Sequence, residues 1–101
     1  MNTLFLIGIA SYYSIAGCLG CNPNFTMANG QRFDDTKMTV AYNEAPLNSY
    51  IGIINLDNLK WVIVPVTDRG GFEKLGRIAD LSLATKEALG CSSLCRIEVV
   101  R

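Results

Sequence analysis

The sequence predicts a mainly β protein, a small closed barrel with one short helix before its last strand. Five or six short runs rich in β-branched and aromatic residues recur along the 101-residue chain. Glycine, proline or asparagine turn signals separate these runs, which is typical of an all-β domain. Because closure removes exposed strand edges, we expect a barrel rather than an open sheet.

Local residue patterns define the individual elements. Residues that favour a pleated, half-buried surface predict strands at 3–14, 39–42, 50–56, 60–67 and Cys95–Val100. Asp57 and Asn58 form a hairpin turn between two of these strands. Segment 77–82 leads to a helix start, where Ser82 is a plausible N-cap. The helix covers Leu83–Leu89 and ends at Gly90.

Composition limits the possible functions. The chain has nine basic residues, nine acidic residues and no histidine. It carries no basic stripe, so we expect no nucleic-acid partner. Without an imidazole, Ser-His and Cys-His mechanisms are excluded, and acid–base chemistry falls to carboxylates, tyrosine or lysine. The length and the lack of a linker predict one domain, residues 1–101.

The N-terminal stretch has two interpretations. Residues 3–10 are apolar, and residues 15–18 (Ile-Ala-Gly-Cys) resemble a lipoprotein cleavage site. However, the first basic residue is Arg32, so the positively charged start of an export signal is missing. The apolar run is also too short to cross a membrane, so we expect a strand and no transmembrane segment. A lipoprotein anchored at Cys18 is the alternative.

A candidate site lies where an apolar strand ends in polar residues. Residues 62–66 read as a buried strand, and Asp68, Arg69, Gly70 and Gly71 follow it. The glycines allow a sharp turn, which would hold Asp68 at the lip of the barrel. The alternative is that Asp68 only pairs with Arg69 or caps the turn.

Several motifs in order resemble the RlpA-like double-psi β-barrel family, the domain of septal lytic transglycosylases of bacterial cell walls. Barwin and expansin are more distant relatives of that family. The resemblance rests on five segments in compatible order: 10–13 (ASYY), 28–34 (ANGQRFD), 39–47 (TVAYNEAPL), 66–72 (VTDRGGF) and 77–82 (RIADLS). It implies a six-stranded double-psi β-barrel with one short helix before the last strand.

The resemblance also implies an activity on peptidoglycan glycan strands. In that family a sugar hydroxyl acts as nucleophile and an anhydro-sugar forms, with the carboxylate at Asp68 as general acid and base. The family usually has Glu at the position of Gln31 and His at the position of Tyr42, so this chain keeps one of the three acid–base positions, Asp68. Arg69 would oppose protonation of Asp68 only if its guanidinium points at that carboxylate.

The substrate-binding residues implied by the resemblance lie around the same loops. They are Thr26, Asn29, Gln31, Tyr42, Arg69 and Phe72. Aromatic faces suit sugar rings, but Tyr12 and Trp61 are more simply explained as core or rim residues. Asp34 is expected to fix its own turn, and Asp80 to cap the helix start or to pair with Arg77.

Four cysteines form two close pairs, Cys18 with Cys21 and Cys91 with Cys95. Disulfides, a four-thiolate zinc or iron–sulfur site and free thiols all remain compatible with this spacing. No cofactor is needed for the chemistry itself. In either of the first two arrangements the cysteines would stabilise a small domain.

Two functions of different class therefore remain open. The first is a wall-active enzyme that cleaves glycan strands through Asp68. The second is a non-catalytic structural or binding module on the same barrel, for example in a phage tail or baseplate with other virion proteins as partners. The corresponding location would be the cell envelope or a virus particle.

Overall fold

The computed structural model describes residues 5–13 and 25–101. Its strands are β1 (Phe5–Tyr13), β2 (Val40–Tyr42), β3 (Tyr50–Asn55), β4 (Trp61–Asp68), β5 (Arg77–Ser82) and β6 (Cys95–Val100). A 3-10 helix covers Phe72–Leu75, and α1 covers Leu83–Leu89. None of the helices in these residues is long and apolar enough to span a membrane.

The six strands close into a barrel in the order β1-β5-β2-β4-β3-β6. The β1–β5 and β2–β4 pairs are parallel, and the other four pairs are antiparallel. The closed barrel, with a helix before its last strand, confirms the predicted fold class. The residue patterns predicted only that segment 77–82 leads to the helix start, whereas the structure forms strand β5 there. Its partners β1 and β2 are distant in sequence, so its stabilising contacts are not visible locally.

Alternate residues of the longer strands fill the barrel. The side chains of Ile53, Val64, Val66, Ile97 and Val99 are completely buried, as expected where strand side chains alternate between two faces. Residues between them therefore point outward. This alternation decides which polar side chains reach the surface of the barrel.

The helix begins and ends as predicted. The Ser82 hydroxyl accepts a hydrogen bond from the backbone N–H of Thr85 at 3.3 Å. Gly90 adopts a left-handed conformation with φ 69°, which residues with a Cβ rarely adopt. Ser82 is also bonded to Thr39 and Lys37, so the helix start is fastened to the segment before β2.

Candidate functional site

Four strands place one transverse row of residues on the outer face of the barrel. Ser11 on β1 pairs with Asp80 on β5. Ala41 on β2 pairs with Asp80 on one side and with Asp68 on the other. Directly paired residues point to the same face of a sheet, so Ser11, Asp80, Ala41 and Asp68 share a face. That face is the outer one, since Ala10 next to Ser11 is buried in the core.

An irregularity in strand pairing brings Asp68 onto this face. Val40 pairs with inward-facing Val66, but the next residue of β2, Ala41, pairs with Asp68. Thr67 is therefore an extra residue in β4, as in a β-bulge. Without it Asp68 would have the same orientation as Val66 and would point into the core.

The Asp68 carboxylate holds the preceding loop against the barrel. Its Oδ1 accepts hydrogen bonds from the backbone N–H of Ala28 at 2.8 Å and of Arg69 at 2.9 Å. The residues that the structure describes place no hydrogen-bond donor on Oδ2. Asp68 as a whole is only 8% exposed.

The Arg69 side chain points away from Asp68. Its guanidinium Nη1 donates to the carbonyl oxygen of Tyr42 and, at 2.6 Å, to that of Ala45. Arg69 therefore fastens the β2–β3 connection, and the charge pair considered from the sequence does not form. A contact between Arg69 and a substrate remains a prediction.

Asp80, expected from the sequence to cap the helix start or to pair with Arg77, is a second carboxyl group on this face. The Ser11 hydroxyl donates to its Oδ1 at 2.9 Å, and the side chain is half-buried. Burial raises the pKa of Asp80, and the Asp68 charge adds to this, while Ser11 and Arg77 act in the opposite direction. Asp80 consequently keeps its proton to a higher pH than an ordinary aspartate.

Tyr13 brings a phenol to the same face. Its ring stacks on Phe33 with 4.3 Å between centroids and meets Phe25 edge-on at 6.3 Å. The hydroxyl is buried and has no hydrogen-bond partner among the described residues. Burial, followed by the charges of Asp68 and Asp80, raises the pKa of Tyr13. The phenol therefore stays protonated and can donate a hydrogen bond.

Two of the predicted binding residues lie beside this row. The backbone N–H of Asn29 donates to the carbonyl of Thr67 at 3.1 Å, which places Asn29 next to Asp68. The Asn29 side-chain amide donates to Oε1 of Gln31 and to Oδ1 of Asn48, each at 3.0 Å. These exposed amides form a polar rim. Thr26 is exposed as well and forms an isolated bridge with Arg32.

Two other predicted binding residues are buried. Tyr42 is 1% exposed and Phe72 is 7% exposed, so neither ring lies open to a glycan. Tyr42 follows outward-facing Ala41 and hence points into the core. Phe72 packs against Gly70, where an added Cβ would lie 2.6 Å from the ring. Both aromatic side chains therefore stabilise the barrel and its glycine turn.

The loop before β2 borders a cavity of about 310 Å³ lined by Met27, Gln31, Arg32, Asp34, Lys37 and Thr39. Asp34 fixes its own turn, as predicted. Its Oδ1 accepts bonds from the N–H and hydroxyl of Thr36 at 3.0 and 2.6 Å. Those bonds, followed by the charges of Lys37 and Arg32, lower the pKa of Asp34.

The structure decides the state of two of the four cysteines. Cys91 and Cys95 form a disulfide, so this pair supplies no thiolates to a metal. Cys18 and Cys21 lie outside the described residues. Within residues 5–13 and 25–101, no group of three or more Cys, His, Asp or Glu could hold a metal ion. A zinc or iron–sulfur site would require reduction of the Cys91–Cys95 bridge.

Comparison with a known structure defines the class of fold. The chain superposes on the Streptomyces papain inhibitor with a TM-score of 0.67 and 20% identity, covering 95% of this chain and 92% of the inhibitor. At that identity the likeness concerns the fold alone. The protein is a double-psi β-barrel.

Sequence comparison then identifies the family. A profile described as lytic transglycolase matches residues 7–100, and the chain therefore belongs to this RlpA-like double-psi β-barrel family. Over 63 residues, 62% of its length, the chain is 49% identical to the endolytic peptidoglycan transglycosylase RlpA of Pseudomonas aeruginosa. It is 40% identical over 77 residues to the RlpA of Vibrio cholerae.

The matching region is a small part of these relatives. It covers 18% of the Pseudomonas aeruginosa protein and 29% of the Vibrio cholerae protein. The chain thus spans less than a third of the curated relatives named here.

Proposed function

We propose that this domain acts at the cell envelope, where it binds peptidoglycan glycan strands and cleaves them as a lytic transglycosylase. The observation that carries the proposal is the outward-facing pairing of Asp68 and Asp80 on either side of Ala41. Two strand spacings separate their Cα atoms by about 10 Å. Glycosidases usually cleave a glycosidic bond with two carboxyl groups, one on either side of that bond.

In the proposed reaction the two carboxyl groups have different tasks. The protonated form of Asp80 donates its proton to the glycosidic oxygen as the bond to the anomeric carbon breaks. A hydroxyl of the same sugar attacks that carbon, and Asp68 Oδ2 takes the hydroxyl proton. The products are a shortened strand and an anhydro-sugar end, and no water is added. Asp80 is left ionised and Asp68 protonated, so one proton must return before the next turnover.

The surroundings of the two carboxyl groups support this division. Burial raises the pKa of Asp80, and a raised pKa suits a general acid. Asp68 instead accepts hydrogen bonds from two backbone N–H groups on Oδ1, which orient its carboxyl group.

Digestion of peptide-stripped glycan strands tests the proposal. The wild-type protein is expected to release anhydro-ended fragments, identified by a mass one water lower than that of hydrolysis products. Asp68→Asn should reduce their formation by at least about 100-fold, since it removes a proton-transfer group. Asp57→Asn is the matched control, because Asp57 is exposed and pairs with Arg96 on the surface. No fragments from wild type, or unchanged release by Asp68→Asn, would contradict the proposal.

A binding module without catalysis is the second candidate. Asp68 is largely buried and ties the Ala28 loop to β4, which is also how a purely structural carboxylate behaves. Glycan binding by the wild-type protein without any cleavage would support this function. A role in a phage tail or baseplate and a lipid anchor at Cys18 remain predictions without support from the described residues.

A further inference from the structure

Outside the carboxylate row, the outer face of β3 and β4 exposes large apolar side chains. Tyr50 and Trp61 are each 66% exposed, and Ile63 is 60% exposed. The pairing places Ile63 opposite Gly52 and Trp61 opposite Ile54. We call the outward positions Tyr50, Gly52, Ile54, Trp61, Ile63 and Pro65 the β3–β4 strip. Trp61, expected from the sequence in the core or at its rim, thus lies open on the sheet.

We propose that the β3–β4 strip is an extended binding surface for a glycan strand that also occupies the Asp68 site. This inference rests on the proposed function and adds the path of the substrate. Strand β4 connects the two regions directly, since Asp68 is its last residue and Trp61 its first. Seven residues of extended chain span about 24 Å.

Polar groups fill the interval between the two regions. The hydroxyl of Ser49, next to Tyr50, donates to the carbonyl oxygen of Pro46 at 2.6 Å. Asn48 accepts the side-chain amide of Asn29 at 3.0 Å, and Asn29 borders Asp68. The surface therefore passes from carboxylates to amides and then to aromatic rings. This order suits a ligand with both hydroxyl groups and flat apolar faces.

The area of the strip favours a narrow ligand over a second copy of the chain. The exposed area of the strip and its neighbour Val100 is roughly 500 Å². This area comes from the exposed fractions of Tyr50, Trp61, Ile63 and Val100, which lies beyond Gly52. A stable dimer needs about 800 Å² from each partner. On the β6 side Glu98, which pairs with Ile54, separates the strip from the exposed Ile7 on β1. A glycan strand stacking on Trp61 and Tyr50 requires only such a narrow band.

Binding of peptide-stripped glycans of graded length, measured by calorimetry in the Asp68→Asn background, tests this inference. Trp61→Ala and Tyr50→Ala should each weaken binding of long glycans roughly three- to tenfold. Binding of a disaccharide, which reaches only the Asp68 site, should not change. Trp61→Phe should retain most of the affinity because it keeps a stacking face. Leu94→Ala is the control, since Leu94 is 49% exposed and lies off the strip.

The outcomes separate this inference from the proposed function. Equal affinities of wild type and Trp61→Ala for long glycans would overturn the inference even if anhydro-sugar ends are produced. A length-dependent loss without any cleavage would support the strip and contradict catalysis. Sedimentation that shows a wild-type dimer dissociated by Trp61→Ala would assign the strip to a second copy and overturn the proposal. Thermal unfolding of each variant verifies that the barrel is intact.

Discussion

The guanidinium of Arg69 turns away from the neighbouring Asp68 carboxylate and donates to two backbone carbonyl groups. These carbonyl groups belong to Tyr42 and Ala45, at the end of β2 and in the segment that follows. Asp68 is bonded instead by backbone N–H groups. The adjacent charges thus have separate tasks: Arg69 fixes the β2–β3 connection, and Asp68 stands on the outer face.

Arg69 is therefore expected to matter for stability. Arg69→Ala should lower the free energy of unfolding by about 2–3 kcal/mol, because it leaves two carbonyl acceptors without their charged donor. Arg69→Lys should recover part of this loss. Urea denaturation measures the effect, with Arg96→Ala as control. Arg96 forms an exposed ion pair with Asp57, whose loss should cost at most about 1 kcal/mol. Equal losses for the two alanine variants would contradict the assigned role.

Because the pKa of Asp80 is raised, removing its carboxyl group should increase the free energy of unfolding by an amount that depends on pH. The folded state binds the Asp80 proton more tightly than the unfolded chain does. The stabilisation that this proton gives to the folded state is therefore fully present below the ordinary aspartate pKa. It is lost as pH rises through the folded-state pKa. Asp80→Asn should therefore unfold at higher urea concentration than wild type at pH 7, with the difference shrinking toward pH 3. Denaturation series over that range test this, and a pH-independent difference would contradict it.

Tyr13→Phe separates stability from activity. The lost hydroxyl is buried without a partner among the described residues, so the free energy of unfolding should stay the same or rise by up to about 1 kcal/mol. Release of anhydro-sugar ends should fall about tenfold if the phenol donates to the substrate. Tyr12→Phe is the control because Tyr12 is its exposed neighbour, with Lys86 over its ring. A stable Tyr13→Phe variant with full activity would show that the phenol is only part of the aromatic cluster.

The Cys91–Cys95 bridge predicts a second stability effect. Closing so short a loop lowers the entropy of the unfolded chain and should add about 2 kcal/mol to the free energy of unfolding. The double variant Cys91→Ser/Cys95→Ser should lose about that much in urea denaturation. In intact-mass measurements, reduction of each bridge should add two hydrogen atoms. A double variant as stable as wild type would contradict a stabilising role. Zinc titration of the reduced wild-type protein tests the proposed four-thiolate site.

Local patterns predicted most of the barrel but not the relationships across it. The runs of Ile and Val in β3 and β4 and the Ser82 cap are short-range signals, and they identified those elements. The approach of Asp80 to Asp68 depends on both residues pairing with Ala41, which no local pattern contains. The burial of Tyr42 was not visible in the sequence, because all three residues of β2 are buried. Its inward orientation follows from its strand partners and not from alternation in its own strand.

The two-carboxylate site is tested most directly by measuring anhydro-sugar ends released from peptide-stripped glycans by wild type, Asp68→Asn and Asp80→Asn side by side. We expect product from wild type and a loss of at least about 100-fold in each variant, although Asp80→Asn is folded and more stable at pH 7. Wild-type release that persists undiminished in Asp80→Asn would contradict the two-carboxylate row and leave Asp68 as the single acid and base.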